Sequence, residues 1–158
     1  MILTVTLNPL LERRYYYSTL DLSSVNRNGT VKLKAGGKGI NINRQLNKFG
    51  IQNIALIYTG GNNGKLIRES LHNEKIIFSD ISTKNETRDA SIIIDQSAKK
   101  VYSFFRTDSE ISSSEVESYL LKMEKMISTC ELVVFSSLLN PPIRIVVPCL
   151  TITVVSAV

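Results

Sequence analysis

The hydrophobic positions of this 158-residue chain form two kinds of pattern. Short apolar runs rich in β-branched and aromatic residues predict strands, several of them buried. These runs lie at 2–7, 13–18, 30–33, 53–58, 75–81, 90–95, 100–105 and 132–135. The i, i+4, i+7 spacing of Ile42, Leu46 and Phe49 predicts one face of a helix, and Gly50 occupies the position of a C-terminal cap. Strands that alternate with helices predict an α/β fold with a parallel sheet.

Local signals predict two further helices and a hairpin. Residues 65–72 follow the glycine-rich turn 60–64 and form one of the helices. Ser112 and Glu115 have the spacing of a capping box at the start of the other. The apolar face of that helix consists of Val116, Tyr119, Leu120, Met123 and Ile127. The turn 97–99 predicts a hairpin, which adds an antiparallel part to the fold.

Composition and charge narrow the class of protein. The chain is 43% apolar and 21% charged, which is typical of a globular protein and excludes a disordered one. Residues 1–107 contain 16 Lys and Arg against 8 Asp and Glu, whereas residues 108–158 contain 3 against 6. The basic part favours an anionic ligand such as a phosphate or a nucleotide, although a solvated surface explains it equally well. The basic residues form no run dense enough to indicate a nucleic-acid groove, so we expect no nucleic-acid partner.

The cysteine and histidine content argues against a zinc site. Neither Cys130 nor Cys149 belongs to a Cys-x-x-Cys pair, and His72 is the single histidine. Free thiols are typical of a reducing cytoplasm, and residues 1–11 lack the basic start of a signal peptide. The uncharged apolar segment 145–158 is too short to span a membrane as a helix. We therefore expect a cytoplasmic protein with no membrane partner and no bound metal of its own.

The glycine-rich segment 35–41 is the first candidate binding element. It matches neither the phosphate-binding P-loop nor the dinucleotide fingerprint, because the required glycines and Ser or Thr are absent. The unpaired N–H groups and the dipole at the start of the following helix nevertheless attract anions. Lys38 adds a positive charge there, and Asn41 could offer its amide to hydroxyl groups. The alternative interpretation is a tight turn that lets a helix pack on a sheet.

Two charged residues are further candidates. Glu12 lies shortly after the first strand, where a carboxylate in an open α/β sheet can accept hydrogen bonds from sugar hydroxyls. The alternative is a surface ion pair with Arg13 or Arg14. Arg88 directly precedes a predicted strand and could bind a phosphate in a bidentate manner, or could be an ordinary surface arginine.

Taken together in their order, five segments resemble the PfkB branch of the ribokinase-like carbohydrate kinases. They are residues 4–9 with 12–13, residues 25–27, residues 35–41, residues 60–61 and residues 86–88. The pattern is most similar to the 1-phosphofructokinase and tagatose-6-phosphate kinase branch, and it runs from Met1 to about Ser136. The resemblance implies an α/β parallel-sheet sandwich with a small β-sheet lid, truncated after roughly half the fold. The lid strands would be 13–18, 30–34, 75–81 and 90–105, and residues 137–158 would be a tail outside the family.

The resemblance also implies an activity and roles for individual residues. The reaction would be ATP- and Mg²⁺-dependent phosphoryl transfer to a hydroxyl of fructose 1-phosphate or tagatose 6-phosphate. Glu12 would bind the sugar hydroxyls, and Arg88 would bind the substrate phosphate. The substrate loop would consist of Gly36, Gly37, Lys38 and Asn41. Arg27 would lie near the lid.

Three departures from the family pattern affect the predicted site. Glu12 stands where the family usually has Asp, and Asn43 stands where a small residue is usual. The family's Gly-x-Gly-Asp motif supplies an anion hole and the catalytic base, but no glycine follows Gly64. We therefore assign no catalytic residue, and we expect this chain to be inactive and not to bind ATP. The alternatives are a non-catalytic sugar-phosphate-binding module, a module that self-associates through its lid strands, and an unstable chain.

Overall fold

The computed structural model describes residues 1–136 and the backbone of residues 152–154. The strands are β1 Ile2–Thr6, β2 Leu10–Tyr17, β3 Thr30–Gly36, β4 Asn53–Gly60, β5 Phe78–Thr83, β6 Asp89–Asp95, β7 Lys100–Phe105, β8 Leu132–Phe135 and β9 Ile152–Val154. The helices are α1 Lys38–Lys48, α2 Gly61–Asn73 and α3 Ser113–Ile127. The strands form a main sheet and a small sheet.

The main sheet has the strand order β5-β4-β1-β8-β9, and every neighbouring pair is parallel. Alternate residues of β4 point to opposite faces, as in any strand. Ala55 and Ile57 join an apolar cluster with residues of α1 and α2, whereas Leu56 and Tyr58 join a second cluster with residues of α3. Because helices cover both faces, β1 and β4 are buried along nearly their whole length, including the polar residues that they contain.

The small sheet has the order β3-β2-β6-β7. Strand β2 is antiparallel to β3 and parallel to β6, and β6 forms the predicted hairpin with β7. The predicted strands 13–18, 30–34 and 90–105 all lie in this sheet. Strand β2 begins at Leu10, earlier than predicted, because its first residues pair with the end of β3 next to the main sheet.

The prediction that 75–81 is a lid strand is wrong. Strand β5 covers Phe78–Thr83 and pairs with β4 in the main sheet, with Ala55 opposite Phe78. The chain leaves α2 through a turn in which Lys75 has a φ of 55°. Together β4, α2 and β5 form a β-α-β unit, whose second strand returns parallel to the first. Pairing between distant segments, which composition does not reveal, therefore decides the sheet to which β5 belongs.

Both helix caps predicted from the sequence are confirmed. Ser112 and Glu115 form a complete capping box at the start of α3. Gly50 has a φ of 68°, and its N–H donates to the Asn47 carbonyl oxygen just after the end of α1. No helix among the described residues is long and apolar enough to cross a membrane.

Helix α2 begins at Gly61 rather than at the predicted residue 65. The distant segment 86–87 caps it. A Glu86 carboxylate oxygen accepts from the Asn63 backbone N–H at 2.6 Å, and the Thr87 hydroxyl oxygen accepts from the Gly60 N–H at 2.7 Å. These bonds satisfy N–H groups that the first turn of a helix cannot pair internally. The two glycines at 60–61 therefore have a structural role at the start of α2.

Candidate functional site

The glycine-rich segment brings the first turn of α1 against the ends of two parallel strands. A Cβ atom on Gly37, which has a φ of 138°, would lie 2.8 Å from Thr6 Cγ2. A Cβ atom on Gly39 would lie 2.1 Å from Thr6 Oγ1 and 2.8 Å from Ser136 Oγ. Thr6 ends β1 and Ser136 follows β8. Only glycine allows the helix to begin this close to the carboxyl edge of the sheet.

The Glu12 side chain lies over Gly36. A Cβ atom on Gly36 would be 2.7 Å from Glu12 Oε1, so the carboxylate occupies the space that a side chain would fill. The other carboxylate oxygen accepts from Arg14 Nε at 2.7 Å. Arg13 instead pairs with Asp89 at 2.9 Å. Glu12 is therefore both a member of the loop site and the ion-pair partner of Arg14.

Arg88 lies close to the same loop. Its carbonyl oxygen accepts from the Leu11 N–H at 3.0 Å, so the backbone of Arg88 lies beside the start of β2. Arg88 Nη2 lies 3.5 Å from the Asn8 carbonyl oxygen, and Nη1 donates to Asp108 at 2.8 Å. The side chain is only 17% exposed, and its Nε is buried without a hydrogen-bond partner among the described residues. The geometry argues against an ordinary surface arginine.

The other predicted site residues occupy less central positions. Lys38 is the exposed first residue of α1. Asn41 is exposed, and its side-chain oxygen accepts from Arg44 Nη1 at 2.6 Å. Arg27 lies in the connection between β2 and β3, at the opposite end of the small sheet from Gly36. Eight extended residues of β2 span about 24 Å, so Arg27 is not brought to the loop.

Two hydroxyl groups at this edge were not among the predicted site residues. Thr6 Oγ1 and Ser136 Oγ are buried, and neither has a hydrogen-bond partner within residues 1–136. Buried polar atoms are nearly always paired, so unpaired ones at a glycine loop indicate a place for a water molecule or a ligand group. Both residues lie in segments that the family resemblance covers, but a single sequence does not show that a hydroxyl is buried.

A cavity of about 580 Å³ lies beside α1. Its lining consists of Lys34, Asn41, Arg44, Gln45, Asn47, Lys48, Glu74 and Ile76. Burial and then the nearby charge of Arg44 lower the pKa of Lys34. Hydrogen bonding from Arg44 lowers the pKa of Glu74. The lining includes Asn41 but none of the loop glycines. The cavity therefore adjoins the glycine loop and does not contain it. In the part of the chain that the structure describes, no group of His, Cys, Asp and Glu side chains could hold a metal ion.

Comparison with known proteins gives a consistent result. The family model for pfkB family carbohydrate kinases matches residues 10–154, beyond the boundary at 136 that the resemblance indicated. A tagatose-6-phosphate kinase of Staphylococcus epidermidis is 35% identical over 126 residues. That alignment covers 79% of this chain and 41% of the relative.

Solved structures show the same fold. The "Possible 1-phosphofructokinase" of Thermotoga maritima superposes with a TM-score of 0.78 at 28% identity, covering 85% of this chain and 43% of that one. Phosphofructokinase-2 of Escherichia coli, in complex with fructose-6-phosphate, gives a TM-score of 0.74 at 21% identity, with coverages of 85% and 44%. The chain thus spans less than half the length of these relatives. The predicted ribokinase-like α/β fold with a parallel sheet is confirmed, and the chain belongs to the pfkB family of carbohydrate kinases.

Proposed function

We propose that this chain provides the sugar-phosphate side of a phosphosugar kinase site. The ligand would be a phosphorylated ketohexose, either tagatose 6-phosphate or fructose 1-phosphate. The names of the Staphylococcus epidermidis and Thermotoga maritima relatives support this choice. Family membership supports the general reaction, which is transfer of a phosphoryl group to a sugar hydroxyl.

One observation carries the assignment of the site. The glycine loop, the Glu12 carboxylate and the Arg88 guanidinium converge on the carboxyl edge of β1. In this arrangement Glu12 accepts hydrogen bonds from sugar hydroxyls, while Arg88 binds the phosphate through charge-assisted hydrogen bonds. Lys38 and the N-terminus of α1 add positive potential beside the loop.

ATP and Mg²⁺ belong to the proposal only at the level of the family. Phosphoryl transfer depends on donors and cations placed at the transferring phosphate. The sequence contains no Gly-x-Gly-Asp motif, and residues 1–136 hold no carboxylate cluster for a metal. The described residues therefore do not fit a nucleotide–metal site, and we expect residues 1–158 by themselves to bind the sugar phosphate without transferring a phosphoryl group to it. A cytoplasmic location is part of the same proposal.

Arg88→Gln is expected to weaken binding of tagatose 6-phosphate at least about tenfold, because a charged hydrogen bond to the phosphate contributes about 1.5–3 kcal/mol. Isothermal titration calorimetry with tagatose 6-phosphate, fructose 1-phosphate and unphosphorylated fructose measures the change. Arg106→Gln is the matched control, since Arg106 is 76% exposed and lies beyond the end of β7. Equal affinities of the wild-type protein for fructose and for the two phosphates would contradict the proposal.

Self-association through the small sheet is a second candidate function, and exposed apolar side chains favour it. Val101, Phe104 and Phe105 on the edge strand β7 are 59–61% exposed. Val101 and Phe105 lie opposite Ile94 and Ala90, which belong to the apolar face of this sheet. A second copy of the chain could cover that face.

Light scattering is expected to give the mass of a dimer for the wild-type chain and of a monomer for the Val101→Lys/Phe105→Lys variant. A lysine at each position places a charge in the proposed interface between two copies and leaves the core of the main sheet unchanged. Phe49→Lys is the control, because Phe49 is 75% exposed at the end of α1. A monomeric wild-type chain at all concentrations would exclude this function.

A further inference from the structure

We infer that Arg44 is a positioning residue, which sets the glycine loop and the amide of Asn41 for a sugar phosphate. The inference rests on the proposed function and adds a residue that neither the motifs nor the family resemblance assigned. Arg44 lies in the middle of α1, and its side chain is only 12% exposed.

The Arg44 guanidinium links three elements of the fold. Nη2 donates to the Ala35 carbonyl oxygen at 2.6 Å, next to the glycine loop at the end of β3. Nε and Nη2 donate to the two carboxylate oxygens of Glu74, just after α2, at 2.5 and 2.8 Å. Nη1 donates to Asn41 Oδ1 at 2.6 Å. One planar group therefore joins α1, the end of β3 and the end of α2.

The contact with Asn41 determines which end of that amide a ligand meets. Arginine has donors and no acceptor, so the atom of Asn41 that it contacts must be the oxygen. The NH₂ group of Asn41 is then the end available to a ligand, and it can only donate. Glu12 presents the opposite chemistry, because its carboxylate only accepts. Together they would select a ligand that offers a hydroxyl donor to Glu12 and an oxygen acceptor to Asn41.

The bond to Ala35 fixes the start of the loop. The Ala35 carbonyl belongs to the peptide that enters Gly36, and Gly36 is the residue over which Glu12 lies. A glycine-rich segment has many accessible conformations, so a bond to its first peptide selects one of them. Arg44 thereby couples the position of Asn41 to that of the loop under Glu12.

Lysine cannot replace arginine in this position. Its ammonium is a point charge, whereas the guanidinium donates in a plane to partners on opposite sides. Arg44→Lys retains the charge beside Glu74 but cannot reach Asn41, Ala35 and Glu74 at once. The variant therefore separates positioning from electrostatics.

Two measurements on the full chain test the inference. Calorimetry with tagatose 6-phosphate is expected to show at least about tenfold weaker binding for Arg44→Lys. NMR of the side-chain amides is expected to show that the chemical shifts of the Asn41 NH₂ group move in that variant to those of a solvent-exposed Asn side chain. Arg68→Lys is the matched control, because Arg68 makes similar part-buried contacts with Thr59 and Asp80. It should alter neither readout.

Asn41→Asp provides an independent test. The aspartate keeps the contact with Arg44, so the melting temperature should not fall, but it replaces a donor by an acceptor. We expect about a hundredfold loss of affinity for the sugar phosphate at neutral pH. Wild-type affinity in Asn41→Asp or in Arg44→Lys would overturn the inference. If the wild-type chain bound no sugar phosphate, the proposed function would fail. The NMR signals of the Asn41 amide in Arg44→Lys would then test whether Arg44 orients that amide. Unchanged signals would show that it does not.

Discussion

Gly39→Ala is expected to lower the free energy of unfolding by about 3 kcal/mol or more, because it overpacks the contact between the first turn of α1 and the ends of β1 and β8. The new Cβ atom would lie 2.1 Å from Thr6 Oγ1 and 2.8 Å from Ser136 Oγ. Both side chains are buried at the carboxyl edge of the main sheet. To admit a methyl group, α1 must move away from the sheet, and this movement also displaces the glycine loop. Urea denaturation measures the stability, and calorimetry measures the accompanying loss of sugar-phosphate binding.

Two further variants separate the clash from other effects of replacing a glycine. Adding Thr6→Ala to Gly39→Ala removes the nearest atom and should restore part of the lost stability. Gly50→Ala is the control for backbone strain, because Gly50 has a φ of 68° but no atom within 4 Å of its added Cβ. We expect it to cost about 1 kcal/mol. If Gly39→Ala cost no more than Gly50→Ala, the close approach of α1 to Thr6 would be wrong.

Asn43→Ala is expected to lower the free energy of unfolding by about 2–6 kcal/mol, although a small residue is usual at this position of the family. Asn43 is fully buried. Its side-chain oxygen accepts from the Thr4 hydroxyl at 2.6 Å, and its NH₂ group donates to Asn53 Oδ1 at 2.6 Å. The substitution leaves two buried polar groups unpaired, and each costs about 1–3 kcal/mol. Thermal and urea unfolding measure the loss.

A double-mutant cycle tests whether the cost comes from these hydrogen bonds. Thr4→Val should destabilise the Asn43→Ala variant less than it destabilises the wild-type protein, because its hydroxyl has already lost its partner. Asn47→Ala is the control, since Asn47 is exposed and accepts one hydrogen bond from Asn53. A loss below about 1 kcal/mol for Asn43→Ala would show that the buried amides contribute little. Additive effects of Thr4→Val and Asn43→Ala would show that the two residues are not coupled.

The departure at Asn43 illustrates a limit of reading motifs in one sequence. Compared with the small residue that is usual there, Asn43 is large and polar. In the structure Thr4 of β1 and Asn53 of β4, on two neighbouring strands of the main sheet, supply the hydrogen bonds that make the buried amide acceptable. Likewise, Glu12 pairs with Arg14 and still lies over Gly36, so the two interpretations of Glu12 are compatible. Such pairs of contacts depend on tertiary packing and do not follow from the identity of the single residues.

Local chemistry was sufficient for several elements of this protein. The spacing of Ile42, Leu46 and Phe49 predicted that α1 is a helix, but the predicted face is wrong, because Phe49 is 75% exposed and the buried residues of α1 are Gly39, Ile40 and Asn43. The spacing of Ser112 and Glu115 predicted the cap of α3, and Gly50 predicted the end of α1. Each signal lies within a few residues of the structure it determines, because helix hydrogen bonds and caps are local. The order of the glycine, Glu12 and Arg88 motifs was sufficient to predict the family.

Other features depended on contacts between residues far apart in the chain. Pairing with β4 placed β5 in the main sheet, and Glu86 extended α2 to Gly61. The burial of the Thr6 and Ser136 hydroxyls and the contacts of Arg44 also arise only when separate elements pack together. The sequence by itself thus determined the presence of the helices, two of their caps and the family motifs of this protein. Only the tertiary structure decided sheet membership, buried polar pairing and the orientation of the Asn41 amide, because each of these depends on a partner whose distance in space cannot be read from its distance along the chain.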